Sequence, residues 1–329
     1  MRDIVFVESA SQMLASVELD SNRDLLYVVR KNGSKINDHQ IDRTIDLLGL
    51  NDRVLYCGVF SLLRFFLLYI WCLKKTLGRG GCVYVGDARG GYSILFAIGF
   101  WWKRQVLIDD GIATLSYIYR RLNKNSVGMV KMGSLKPVMT NVFRCISPSY
   151  DLFTAIPLEP REFPNCRVHC YEKTESLFKA SVVDESMAVF VGSKVVEAGL
   201  LSMTAFEDSV NKFLNENSGR SCVYAAHRAE MLDKLEPFKG KMSVEVFSLP
   251  IELHYLNLGR IPKFIGGFYS GALVFFKKAT FSVMVRNYSI AKTKNNSAFH
   301  DEIVLCDAFF NRLNSGECVS KRDLNGAVC

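Results

Sequence analysis

Short apolar runs alternate with segments of helical length over the first third of the chain. Residues 4–7, 25–29, 53–56, 82–85 and 105–108 read as strands, since each is a brief apolar or β-branched run bounded by polar or turn residues. Amphipathic or apolar stretches long enough for helices separate most of them. Strands alternating with helices predict a parallel sheet covered on both faces. A second series runs through 187–191, 221–225, 243–247 and 262–265, with helices expected over 205–214 and 229–235. Between the two series, residues 126–185 are irregular and hold Pro137, Pro148, Pro157, Pro160 and Pro164, five of the eight prolines. This stretch reads as a crossing between domains. From His300 to Phe310 the pattern is that of a terminal helix. The expected organisation is a first domain over 1–150, a linker over 151–185, a second domain over 186–295, and a terminal helix and tail over 296–329.

Length supports two cores, because 329 residues exceed what one hydrophobic core usually serves. Apolar residues at 49% and charged ones at 22% describe a folded chain. The ten cysteines are scattered, several inside apolar runs such as 82–85, which fits reduced, buried thiols of a cytosolic protein. Cys166 and Cys170, with His169 between them, have no second pair at zinc-finger spacing, so no metal is expected there. The opening residues read as a strand followed by polar positions and predict no secretory signal. The longest apolar stretch, 54–73, carries Arg64 and Gly58 and reads as a strand and a buried helix rather than a membrane span. Its aromatic surplus, followed by Lys74 and Lys75, still permits contact with a membrane surface. A net charge of +8 points to acidic partners, but the basic residues are dispersed and no nucleic-acid signature is present.

Several polar clusters stand at expected strand ends, where an open parallel sheet places its ligands. The run from Ile261 to Phe276 reads as a buried strand, a glycine turn at Gly266 and Gly267, and a helix starting near Ser270. Free N–H groups and a hydroxyl at such a junction hold phosphate, which makes Tyr269, Ser270 and Gly271 candidates. A second cluster is Asp109, Asp110 and Gly111, where adjacent carboxylates can poise one as a general base. Taken alone, the same residues read first as a solvated turn or helix cap. In the third, a strand runs into His227 and Arg228, which can donate to a leaving phosphate or cap the next helix. Glu252 is placed to accept ribose hydroxyls, and Gly192 with Ser193 forms a further strand-end loop. The glycine-rich segment 86–91 lacks the ending of a P-loop and reads as a strand-to-helix turn.

The order of these clusters resembles the bacterial sialyltransferases of the two-domain GT-B type. The likeness is to glycosyltransferase family 52, the lipooligosaccharide sialyltransferase group, with the capsular polysialyltransferases as more distant relatives. It covers most of the chain and is strongest over 82–115 and 187–275. The fold class it implies is α/β, with two Rossmann-like domains facing a cleft. The activity implied is inverting transfer of a sialic acid, or a related nonulosonic acid, from its CMP ester to a sugar hydroxyl of a lipooligosaccharide, O-antigen or capsule. No cofactor and no essential metal are implied. On this resemblance Asp109 is the base that deprotonates the acceptor, and Asp110 orients it or shares the role. His227 stabilises the departing phosphate, while Gly192, Ser193, Arg228, Glu252, Tyr269, Ser270 and Gly271 contact the donor. Ser11 and Gln12, in the segment after the first strand, contact the acceptor. The chain departs from the pattern at Arg228, where the wider group has proline, and at Gly271, where a second serine is usual.

The partners implied are a nucleotide-sugar donor, a glycan or glycolipid acceptor and a membrane surface, with no nucleic acid and with oligomerisation left open. The expected location is cytoplasmic, peripheral at the inner face of the bacterial inner membrane. Two other readings remain: a hexosyltransferase of the same fold using another nucleotide sugar, and a non-catalytic nucleotide- or glycan-binding protein.

Overall fold

The structure, a computed structural model, describes residues 2–19, 24–57, 62–76, 81–88, 90–122, 149–178, 181–228, 230–278, 282–291 and 300–320. The chain divides into two units, Met1–Thr154 with Phe163–His169, and Ala155–Glu162 with Cys170–Cys329.

The first unit is built from β1 (Arg2–Val7), α1 (Ala10–Val17), β2 (Asp24–Arg30), α2 (Lys35–Leu47), β3 (Val54–Cys57), α3 (Leu62–Thr76), β4 (Cys82–Val85), α4 (Gly91–Gly99), β5 (Arg104–Ile108), α5 (Ile112–Leu122), β6 (Asp151–Thr154) and β7 (Cys166–Val168). Its seven strands pair in parallel in the order β3-β2-β1-β4-β5-β6-β7. Continuous apolar strands make this sheet, because both faces are covered: Ile4, Val5, Phe6 and Val7 are all fully buried. Helices enter with side-chain caps, as where Ser9 accepts from the Gln12 amide at 3.3 Å and Ser34 from that of Asn37.

The second unit holds α6 (Glu172–Ser176), β8 (Val182–Val191), α7 (Met203–Glu216), β9 (Ser221–Ala225), β10 (Ser243–Glu245), α8 (Ile251–Leu258), β11 (Arg260–Gly267), α9 (Gly271–Lys278), β12 (Met284–Asn287) and α10 (His300–Ser315). Its five strands are also all parallel, in the order β10-β9-β8-β11-β12. An aromatic core fills one face, with Phe190 stacked on Tyr224 and edge-on to Phe213 and Phe268. Both units are Rossmann-like α/β domains, as the alternating pattern predicts.

Some expectations change. The segment read as a linker contains β6 and β7, which extend the first sheet, and the strand β12 was not foreseen. The helix expected over 229–235 is a 3-10 stretch, Leu232–Phe238, in which Pro237 removes a donor that an α-helix needs. The apolar stretch 54–73 divides into β3 and α3, yet α3 is not a buried helix: Phe66 and Leu67 are exposed. Among the described residues no helix is long and apolar enough to cross a membrane.

Candidate functional site

Register places the strand ends of the second sheet in one row. Glu245 of β10 pairs with Ala225 of β9, Ala225 with Val191 of β8, Val191 with Gly267 of β11, and Gly267 with Asn287 of β12. The loops that follow therefore leave the sheet side by side. They carry Glu252 after β10, His227 and Arg228 after β9, Gly192 and Ser193 after β8, and Tyr269 and Ser270 after β11. Strand order reverses between β8 and β11, so Ser193 and Ser270 flank the switch point where open sheets bind ligands.

Glu230 ties two of these loops together. Its fully buried carboxylate accepts from the Tyr224 hydroxyl at 2.6 Å, the Ser193 amide at 3.1 Å and the His227 amide at 2.6 Å, and pairs with Lys234 at 2.7 Å. Gly192 makes room for it, because a Cβ there would strike Glu230 and stand 2.9 Å from the Ala225 carbonyl oxygen. Lys234 is itself buried, donating to the Ser193 carbonyl at 3.1 Å and reaching Glu197 at 3.2 Å. Breaking such a buried network costs about 3–5 kcal/mol. Its product is a fixed loop pair that presents the exposed residues His227, Arg228 and Lys194. The surrounding protein, then Arg228 and Lys194, push the His227 pKa down to about 4, so the ring is neutral near pH 7. Ser193 Oγ is buried and has no hydrogen-bond partner among the described residues.

On the other side of the switch point, Ser270 Oγ accepts from the Ala272 amide at 3.2 Å, which caps α9 and leaves the hydroxyl hydrogen able to donate. Gly271 is the first residue of α9, where backbone N–H groups lack helical partners. Tyr269 takes a left-handed φ of 42°, held by its amide donating to Asn287 Oδ1 at 2.8 Å. Its hydroxyl donates to Asp307 at 2.7 Å and accepts from the Ile290 amide at 3.0 Å, so it anchors the turn instead of facing a donor. Gly266 and Gly267 serve packing: a Cβ at Gly267 would meet the Val191 carbonyl oxygen at 2.8 Å.

Glu252 sits in the first turn of α8 and is almost wholly buried. Burial raises its pKa to about 7, against a lesser lowering by its own backbone amide.

In the first unit the strand ends carry Glu8 after β1, Asp87 after β4, Asp109 and Asp110 after β5, Thr154 at the end of β6 and His169 after β7. Asp109 is 4% exposed; Thr154 Oγ1 donates to its Oδ1 at 2.8 Å, and His169 Nε2 lies 4.0 Å from its Oδ2. The His169 ring stacks on Phe153 at 4.8 Å, and its amide donates to the Thr154 carbonyl. Asp110 is half-buried, with its amide donating to Thr114 Oγ1 at 3.0 Å. Gly111 takes a φ of 60° to turn the chain into α5. At the switch point between β1 and β4, Gln12 is buried and accepts from the Glu8 amide at 2.8 Å, over a Gly86 that has no room for a Cβ. Gln12 is thus a structural plug, whereas Ser11 beside it is exposed. Glu8 takes a hydrogen bond from Ser93 at 3.2 Å and pairs with Arg30; burial raises its pKa against the pull of Arg30.

The structure therefore groups Gly192, Ser193, His227 and Arg228 at one place and Ser270 with Gly271 next to it. Lys234, Glu197 and Thr154 escaped the sequence reading, and His169 was weighed only as a metal ligand, since nothing in their local patterns shows that distant strand ends meet. Glu230 had a signal, three residues after His227, in the spacing of a turn that closes on itself. Among the described residues no group of three or more His, Cys, Asp or Glu is placed to hold a metal ion.

No family model matches the chain, and no curated protein aligns with it significantly. Solved structures do. The S. aureus MnaA co-structure with UDP superposes with a TM-score of 0.52 at 9% identity, over 97% of this chain and 98% of that one. UDP-GlcNAc 2-epimerase from Methanocaldococcus jannaschii gives 0.46 at 13% identity, over 99% and 91%. The E. coli heptosyltransferase WaaC with ADP gives 0.37 at 11%, over 87% and 91%. At such identities the S. aureus likeness shows a shared fold, and the fold of this chain is the GT-B type.

Proposed function

We propose that this chain is a glycosyltransferase that uses a nucleotide-activated sugar, and that the sugar is a sialic or related nonulosonic acid carried on CMP. The observation that supports it most is the row of strand ends in the second unit, where His227, Arg228, Lys194, Ser193 and Ser270 gather cationic and hydroxyl donors at a switch point. Such donors suit a phosphate that gains charge as it leaves. Neutral His227 offers one N–H, Arg228 a planar fork, and Ser270 with the start of α9 offers hydroxyl and backbone donors. Glu252, expected from the sequence to accept ribose hydroxyls, is instead buried in the first turn of α8, so no ribose contact is assigned to it.

In the reaction, the acceptor hydroxyl oxygen attacks the anomeric carbon, its proton passes to Asp109, and the bond to the CMP phosphate breaks with the electron pair leaving on CMP. Thr154 holds the base through its hydrogen bond, with His169 4.0 Å away, and Asp110 orients the acceptor. The acceptor is a surface glycan or its lipid-linked precursor, met at the inner face of the membrane. A second reading keeps the fold and takes a UDP-linked donor, which the UDP of the S. aureus structure favours. A panel of CMP- and UDP-linked sugars offered to the purified chain with glycan acceptors separates the two. Turnover with CMP-linked nonulosonic acids is expected; turnover confined to UDP-sugars would overturn the donor assignment.

A further inference from the structure

We infer that the outer face of α3 and the adjoining residues Trp101 and Trp102 form a docking surface for an anionic lipid bilayer. This goes beyond the donor chemistry and gives a place to the lipid-linked acceptor of the proposed function. Its test does not depend on that function.

The face of α3 that would meet solvent is apolar. Phe66, Leu67, Ile70 and Trp71 are 61%, 57%, 38% and 37% exposed, and Lys74 extends the same stripe by one turn. The opposite face packs inward through Cys72, fully buried, and Tyr69, whose hydroxyl donates to the Gly99 carbonyl at 2.5 Å. That bond joins α3 to the end of α4, where Trp101 is 76% and Trp102 46% exposed. Rings connect the two elements without a break: Phe66 to Tyr69 at 6.1 Å, Tyr69 to Phe100 at 5.3 Å, Phe100 to Trp102 at 5.9 Å and Trp102 to Trp101 at 6.1 Å. The exposed apolar side chains of the two elements are thus joined beneath the surface, through Tyr69 and the buried ring of Phe100.

Two features select a bilayer as its occupant. All three tryptophans of the chain, Trp71, Trp101 and Trp102, lie here, and tryptophan is the side chain that settles at the level of lipid headgroups. Neither α3 nor residues 91–108 contains an Asp or Glu, although the chain has 33 of them, and Lys74 stands exposed on the stripe, whereas Lys103 is buried and Arg104 pairs with Asp151. An apolar aromatic surface with no acid in its own segments and an exposed lysine at its edge is complementary to anionic headgroups. With no helix among the described residues able to span, the patch lies on the bilayer rather than across it.

Intrinsic tryptophan emission reads this surface without background. The chain is mixed with vesicles of phosphatidylcholine alone or with phosphatidylglycerol, and emission and co-sedimentation are followed with added salt. A blue shift and sedimentation with the anionic vesicles, both weakened by salt, are expected. Trp101→Ser, at the most exposed position, should partition at least about tenfold less while keeping the wild-type thermal transition. Should that variant fail to fold, the wild-type arms decide alone. Unchanged emission and a soluble protein with both vesicles would overturn the proposal. So would a concentration-dependent dimer that Trp101→Ser abolishes while vesicles have no effect, which assigns the face to a second copy.

Discussion

At the carboxyl edge of the first sheet the strand ends carry Glu8, Asp87, Asp109 and Asp110; at that of the second Lys194, His227 and Arg228 are exposed, while Glu230 and Glu197 are turned inward onto Lys234. Both sheets are parallel, both reverse their strand order near the middle, and both bury apolar strands on two faces. The sheet cannot be what separates their chemistry. The loops are, and each is fixed by a different device. In the first unit a neutral hydroxyl, that of Thr154, holds Asp109; in the second a buried carboxylate, Glu230, holds the loops that expose cations. An acidic edge suits accepting a proton, and a basic one suits a developing phosphate charge.

If the division is correct, damage to one edge should leave the other's task intact. Asp109→Asn is expected to lower kcat by about 10³, within the range ascribed to general-base catalysis, with CMP affinity unchanged. Steady-state kinetics beside calorimetry checks this; a loss of CMP binding would place Asp109 on the wrong side of the comparison. Glu230→Ala should do the reverse. It leaves buried Lys234 with a single carboxylate and unties the Ser193 and His227 loops, so a loss of about 3–5 kcal/mol in urea unfolding and of CMP binding is expected.

Glu252 gives a smaller, pH-dependent effect. Its folded pKa of about 7 lies above the ordinary 4.5, so the folded state binds the extra proton. The corresponding stability is present below about pH 4.5 and lost as pH rises through 7, roughly 3 kcal/mol in all. Glu252→Gln should therefore match the wild type at pH 5 and exceed it in thermal stability at pH 8. Equal pH dependence of the two proteins would show that Glu252 is not the buried acid described.

Short continuous apolar runs between segments of helical length revealed most strands, because parallel strands buried on both faces are conspicuous. Residues 82–85 and 221–225 coincide with β4 and β9. Edge strands were less visible: β7 is three residues, two of them exposed, and β12 has one exposed and three half-buried, so neither forms an apolar run. The strand-end acids and His227 were legible as polar residues closing apolar runs. Tyr269 was legible only by position, since its engagement with Asp307 and Ile290 spans 38 and 21 residues of sequence. Gln12 likewise looked available until its side chain was placed over Gly86. Helix α3 shows the same limit, because an apolar periodicity does not say which face is covered.

Calorimetric titration of the wild type and Arg228→Ala with CMP tests the central claim most directly, that the second sheet's edge holds the nucleotide phosphate. The wild type should bind CMP in preference to UDP, and Arg228→Ala should bind it about ten- to hundredfold more weakly with an unchanged thermal transition. Equal affinity of wild type and variant, or no heat with CMP at all, would contradict it.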